Sequence, residues 1–192
     1  MAHPDDAELW AGGVLAQYAD VGEAHILVAT ADDQRGQEAA AGAKVLGADL
    51  HLVEEHTQFA IEERLAELRP EVVITHRLDD VHPDHRAVND LVLHALPEAV
   101  ITTGRPLRVY TCDTYNSLTL EGRVPGTVVV DISNVYDRKI DALKVHRSQP
   151  LDHFATMADR LSAFWGGTRG CMRAEAFDPV PVLGRLPAAD GL

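Results

Sequence analysis

His25-Ile26-Leu27-Val28-Ala29, an Ala-rich run over residues 35–46 closed by Gly47, and Leu50-His51-Leu52-Val53 follow one another along the chain. A short apolar run, a helix-forming run and a second short apolar run make a strand–helix–strand unit, and two strands joined this way run parallel. Gly47 is the expected stop, because glycine adopts the left-handed conformation that closes a helix. The alternation continues outward in both directions. Towards the N-terminus, residues 8–21 read as a helix with Leu15 and Tyr18 on one face and Gly22 at its end. Towards the C-terminus, Ile61, Leu65 and Leu68 fall at i, i+4 and i+7, Pro70 breaks the run, and Val72-Val73-Ile74 is the next strand. Pro83 suits the first position of a helix whose Val88, Leu91 and Ala95 face inward. Residues 107–110 and 127–130 read as later strands. Asn134 reads as the cap of a helix through Tyr136, Ile140 and Leu143, and residues 152–164 as a last helix. The tail after Phe177, rich in Pro, Gly and Ala, reads as surface chain.

This pattern predicts an α/β fold with a mostly parallel sheet. At 192 residues it is read as one domain over 1–192, which would bury roughly 70% of its unfolded surface. In such a fold a strand precedes the first catalytic loop. Only Met1 and Ala2 stand before His3, so the first strand is expected to be truncated. A hydrophobic fraction of 46% and a charged fraction of 24% are those of a soluble globular protein. The net charge of −13 argues against nucleic acid, whose phosphates ask for a basic stripe. No apolar run is long enough for a membrane span, and no leader pattern opens the chain. Cys112 and Cys171 fit no metal-finger spacing and are expected as free thiols in a reducing, cytoplasmic setting. Arg outnumbers Lys by 14 to 3, which with the abundant Ala suggests a GC-rich bacterial genome. A homo-oligomer is left open.

Two short clusters carry the chemistry: Ala2-His3-Pro4-Asp5-Asp6-Ala7-Glu8 and His82-Pro83-Asp84-His85. One His-Pro-Asp cluster alone reads as a turn, since Pro presets φ and Asp caps the residues after it. Two of them, each opening a helix beyond a strand position, read as a metal site. Ligands in α/β sheets gather beyond the carboxyl ends of strands, where His3, Asp6 and one of His82 or His85 would converge. Two imidazoles and a carboxylate leave zinc one open position for water, whose pKa falls toward about 7. Asp5 is the candidate base, and a protonated His82, held by Asp84, the candidate partner of the oxyanion. The constellation predicts metal-assisted hydrolysis of an amide or ester. Iron or cobalt suits the same ligands.

These two clusters resemble the PIG-L (LmbE-like) N-deacetylase family. Arg35-Gly36-Gln37-Glu38 with Ala43 and Leu46-Gly47 is similar to its Arg-x-x-Glu helix. Lys139, Ala142, His146, Ser148 and Gln149 resemble its later Lys-x-x-Ala…His-x-Ser-Gln element, and Ala174-Glu175-Ala176-Phe177 its terminal Ala-Glu-x-Phe. The resemblance implies a Rossmann-like three-layer fold. It implies a zinc-dependent hydrolase that removes acetyl from N-acetylglucosamine-type conjugates, whether lipid-, thiol- or antibiotic-linked. It assigns zinc to His3, Asp6 and His85, the base to Asp5, the oxyanion to His82 and a substrate contact to Arg35. Trp10 stands where many members have glycine and is expected to line or narrow the pocket mouth. Only Ala31-Asp32-Asp33-Gln34 separate Thr30 from Arg35, a shorter loop than in relatives, which opens the substrate side.

Other residues carry a second reading beside the first. His146 is placed among the substrate-binding residues, although its spacing from Leu143 equally fits a hydrogen-bonded histidine at the core's edge. Arg35 otherwise serves Asp32 and Asp33 at the surface. Asp80 is a candidate partner behind the second cluster. Glu8 is expected to favour the helix dipole. His25, His51, His56, His94 and His153 read as structural or surface, and Trp165 as core. Two other functions remain beside N-deacetylation: a broader amidase acting on acylated thiols or natural products, and a non-catalytic metal- or sugar-binding protein.

Overall fold

The computed structural model describes residues 1–29 and 32–186. Its contacts group into two compact units, the first formed by Met1–Glu55 and Val129–Ala176, the second by His56–Val128 and the chain from Phe177.

In the first unit, α1 (Asp6–Val21) is buried on nearly every face of its first two turns, the pattern of a helix enclosed by others. It ends at Gly22, whose N–H bonds the Tyr18 carbonyl (2.8 Å). β1 (His25–Ala29) and β2 (Asp49–Val53) pair in parallel, His25 opposite Asp49 and Ala29 opposite Val53. The crossover between them is α2 (Asp33–Leu46), capped by the Asp32 carboxylate on the Arg35 N–H and closed by left-handed Gly47. Ala39, Gly42, Ala43 and Leu46 form its buried face. The Met1 amine donates to the Leu27 carbonyl of β1 (2.7 Å). α5 (Tyr136–Leu143) packs on α1 and α2, and α6 (Leu151–Arg169) packs on α5 and α1.

In the second unit, α3 (Gln58–Leu68) precedes β3 (Val72–Thr75), and α4 (Pro83–Thr103) leads to β4 (Arg108–Cys112). A 3-10 turn at Tyr115–Ser117 then enters a hairpin of β5 (Leu118–Thr119) and β6 (Gly122–Arg123). Two strands cross between the units along the chain: β7 (Val128–Asp131) and β8 (Ala174–Val180). β3 and β4 are parallel, Val72 opposite Arg108, whereas β4 and β8 are antiparallel, Cys112 opposite Phe177.

The α/β class and the order of elements agree with the sequence. The sheet is mixed rather than purely parallel, because β8 runs against β4. That strand lies partly in the stretch read as surface tail, where Pro179 argues against a ladder; Pro179 sits near the strand's end, opposite Tyr110. Asn134 is not the cap of α5. Its side-chain oxygen accepts from Gln17 Nε2 (3.0 Å), and Val135 takes the cap position. α6 runs through Gly166 and Gly167 to left-handed Gly170, past the expected end at 164. Thr30 and Ala31 of the short loop, and residues 187–192 of the tail, lie outside the described residues. No helix among the described residues is long and apolar enough to cross a membrane.

Candidate functional site

The loop before α1 turns its two aspartates to different partners. The Asp6 carboxylate takes the His3 N–H (2.7 Å) and lies 3.1 Å from His3 Nδ1 on one oxygen. Its other oxygen accepts the Trp10 indole N–H (3.1 Å). Trp10, expected at a pocket mouth, is buried and holds Asp6 through its indole N–H. Asp5 points instead to Arg35, whose Nη2 donates to Oδ1 at 2.8 Å. Burial and the neighbouring Asp6 raise the Asp5 pKa, against the lowering effects of Arg35 and His146.

Behind this loop, Glu8 and His146 form a second buried pair, each 1% exposed, with Glu8 Oε1 3.4 Å from His146 Nε2. Burial pushes the Glu8 carboxyl up, and His146 pulls it back only in part. Glu8 is thus a core partner of His146, beyond the dipole role read for it. The pair lies against the backbone of Gly42: a Cβ there would stand 2.3 Å from Glu8 Oε1 and 3.0 Å from His146 Nε2. Sequence reasoning missed this close approach, and the one signal was a glycine inside an alanine run. Glu38, three residues after Arg35, accepts from both the Ser148 N–H (3.0 Å) and hydroxyl (2.5 Å). Residues i and i+3 share a helix face. The Arg-x-x-Glu spacing therefore lets one face of α2 hold Asp5 and the turn after α5 together.

In the second unit, the segment from the end of β3 to the start of α4 gathers three imidazoles. Asp80, fully buried, accepts the His82 N–H on Oδ1 (2.8 Å) and meets His85 Nδ1 on Oδ2 (3.1 Å). Burial pushes this carboxyl up, but the His85 ring and the His82 N–H outweigh it, and the pKa falls. A proton assigned to His85 Nδ1 leaves Nε2 as the nitrogen available to an ion, the usual pattern of a carboxylate behind a metal-binding histidine. The His76 ring stacks on His85 (3.8 Å, 13°), the His82 ring lies 4.8 Å from it, and the Tyr115 ring 5.9 Å. Asn89 Nδ2 ties the His76 carbonyl into α4 (2.6 Å). His82 caps α4 through Nδ1, which accepts the Asp84 N–H at 3.2 Å, while the Asp84 carboxylate stands 3.9 Å away. Tyr115 was not singled out from the sequence. It follows β4 on a turn where Asn116 and Ser117 have φ of 55° and 54°, held by the Asp113 carboxylate on the Thr114 N–H (2.7 Å) and Ser117 hydroxyl (2.8 Å).

Each unit thus holds one cluster at a helix start, and both clusters lie inside the half of the chain that matches a known family. Residues 1–96 match the family described as PIG-L, GlcNAc-PI de-N-acetylase. The chain belongs to the PIG-L family. A relative, the probable N-acetyl-alpha-D-glucosaminyl L-malate deacetylase 2 of Bacillus subtilis (strain 168), is 32% identical over 109 residues, covering 56% of this chain and 48% of the relative. The chain spans about half the length of that curated relative. Among solved structures, a conserved protein of Thermus thermophilus superposes with a TM-score of 0.81 at 26% identity, over 94% of this chain and 93% of that one. The 4-carboxy-2-hydroxymuconate hydratase GalB of Pseudomonas putida KT2440 gives 0.79 at 21%, over 94% of both chains. The N,N'-diacetylchitobiose deacetylase of Pyrococcus horikoshii gives 0.75 at 20%, over 94% of this chain and 82% of that one. These last two similarities show the fold alone. That a hydratase appears among them shows that the fold alone does not set the reaction.

Proposed function

We propose that the chain is a metal-dependent hydrolase that removes an N-acetyl group from an N-acetylglucosamine-type conjugate. Family membership supports this reading, as does the deacetylase relative from Bacillus subtilis. The observation that carries it is the division of roles in the first cluster. Asp6 Oδ2 stands 3.1 Å from His3 Nδ1, a spacing suited to two ligands of one ion, while Asp5 is turned away, buried and raised in pKa. One carboxylate suits metal binding and the other suits base catalysis.

His3, Asp6 and His85 are the proposed ligands, with Asp80 fixing the His85 ring. The donor set of two imidazoles and a carboxylate fits zinc. Bound there, the ion would acidify a water and polarise the amide carbonyl. Asp5 then takes the proton of the attacking water and returns it to the leaving amine. His82 faces the oxyanion; for its Nδ1 to carry a proton it must exchange the Asp84 N–H for the Asp84 carboxylate. Arg35 leaves Asp5 to meet the substrate, and Asp5 is freed to act. His146, buried against Glu8, acts by holding the ground behind Asp5 and not by touching the substrate. We place this chemistry in the cytoplasm, the setting that the cysteine usage of the sequence suggests.

The test is acetate release from N-acetylglucosamine conjugates by the zinc-loaded protein. Release that disappears in Asp5→Asn with zinc still bound is the expected result. Full activity in that variant would remove Asp5 as the base. Comparing acetyl with bulky acyl substrates decides between a deacetylase and a broader amidase.

A further inference from the structure

The middle of α1 holds an ion pair for which the proposed chemistry has no use. Glu175 of β8 accepts the N–H groups of Gly13 (2.8 Å) and Val14 (2.9 Å). Lys139 of α5 meets the same carboxylate at 2.5 Å and donates to the Leu9 carbonyl at 2.8 Å. All these residues belong to the first unit, and the two charged side chains are 3% and 4% exposed. In a helix the Gly13 N–H donates to the carbonyl four residues back, which is that of Leu9. The ion pair therefore engages both ends of a single rung. A side chain inserted into the ladder is one of the few identifiable causes of a helix bend. Gly12 is where the helix admits the lysine: a Cβ there would stand 3.1 Å from Lys139 Cγ.

The rung lies directly after the turn that carries Asp5, Asp6 and Glu8, and Trp10, which holds Asp6, sits inside it. As a source of stability the arrangement is poor. Desolvating two charges offsets most of their attraction, and a packed apolar pair often serves a core as well or better.

We propose that Lys139 and Glu175 are positioning residues for the metal-binding end of α1. They set the direction of its first turns, and with it where Asp5 and Asp6 point. The proposal rests on the reading of Asp6 as a metal ligand. The experiment compares the intact chain with Glu175→Gln and the double variant Lys139→Met/Glu175→Leu, in a Trp165→Phe background that leaves Trp10 as the reporter. Thermal stability, the Trp10 emission of the metal-free protein and zinc affinity by competition are measured. Glu175→Gln leaves the lysine buried without its counter-charge and is expected to lower the melting temperature. The double variant strips both charges from the rung, keeps its melting temperature, shifts the Trp10 emission and weakens zinc binding roughly ten- to hundredfold. A stable double variant with unchanged Trp10 emission and zinc affinity would overturn the proposal. So would zinc affinity that falls only in step with stability across the variants. If the double variant does not fold, Glu175→Asp retains the charge but retracts it by one methylene, and the same readouts decide. A parent protein that takes up no zinc would sink the ligand reading alone, because the Trp10 emission of the metal-free protein still decides the role of the pair.

Discussion

Two buried carboxylates of the first unit, Asp5 and Glu8, and one of the second, Asp80, respond to burial in opposite ways. Asp5 and Glu8 are raised in pKa, although Arg35 and His146 stand beside them. Asp80 is no less buried, yet its pKa is lowered. The difference lies in the donors. Asp80 has an imidazole on one oxygen and a backbone N–H on the other, while Asp5 has one guanidinium and a second carboxylate next to it. Burial favours the neutral acid, and only donors aimed at the ionised form reverse that. Asp80 thus stays charged beside His85, and Asp5 takes a proton more readily than an exposed aspartate does.

The largest effect should come from removing that readiness. Asp5→Asn is expected to lower kcat by about 10²–10⁴-fold, the range of general-base catalysis, with zinc content unchanged. Steady-state kinetics with metal analysis checks this, and a variant that loses zinc as well would merge the roles assigned to Asp5 and Asp6. Asp80→Asn tests the other side. It removes the charge behind His85 and should weaken zinc binding roughly 10–100-fold, measured by chelator competition. An unchanged affinity would make Asp80 a packing residue.

A smaller effect is expected where the Glu8–His146 pair meets α2. Gly42→Ala forces a methyl group to within 2.3 Å of Glu8 Oε1 and should cost about 1–3 kcal/mol in urea unfolding. Gly167, with nothing within 4 Å of an added Cβ, supplies the control: Gly167→Ala should be neutral or stabilising by about 0.4–1 kcal/mol. The smallest effect concerns Asp178. Burial raises this group, but the Thr127 hydroxyl and N–H and the Arg77 guanidinium outweigh it, and its pKa is lowered. Its stabilisation is then present above the unfolded value of about 3.9 and is lost as pH falls below it. Asp178→Asn should flatten the acid limb of the stability curve without changing its shape at neutral pH.

Local pattern made most of the fold legible. β1 was readable residue for residue as an apolar run, and Gly47 and Pro83 marked helix boundaries because their backbones allow little else. β8 was not readable, because its strand character depends on β4 beside it and Pro179 disguises it. Of the site, Asp80 could be suspected from its place before His82. The Glu8–His146 contact could not, because it joins residues far apart in sequence through a space that only Gly42 leaves open. The Arg35–Glu38 spacing was visible, but its partners Asp5 and Ser148 appear only when α2 is placed against its neighbours.

On the proposed reading, His3, Asp6 and His85 serve one ion. Zinc stoichiometry and affinity of the full chain, measured beside His3→Ala and His85→Ala, test it most directly. One zinc per chain, lost in either variant, is the predicted result. Zinc retained at parental affinity after either substitution would contradict it.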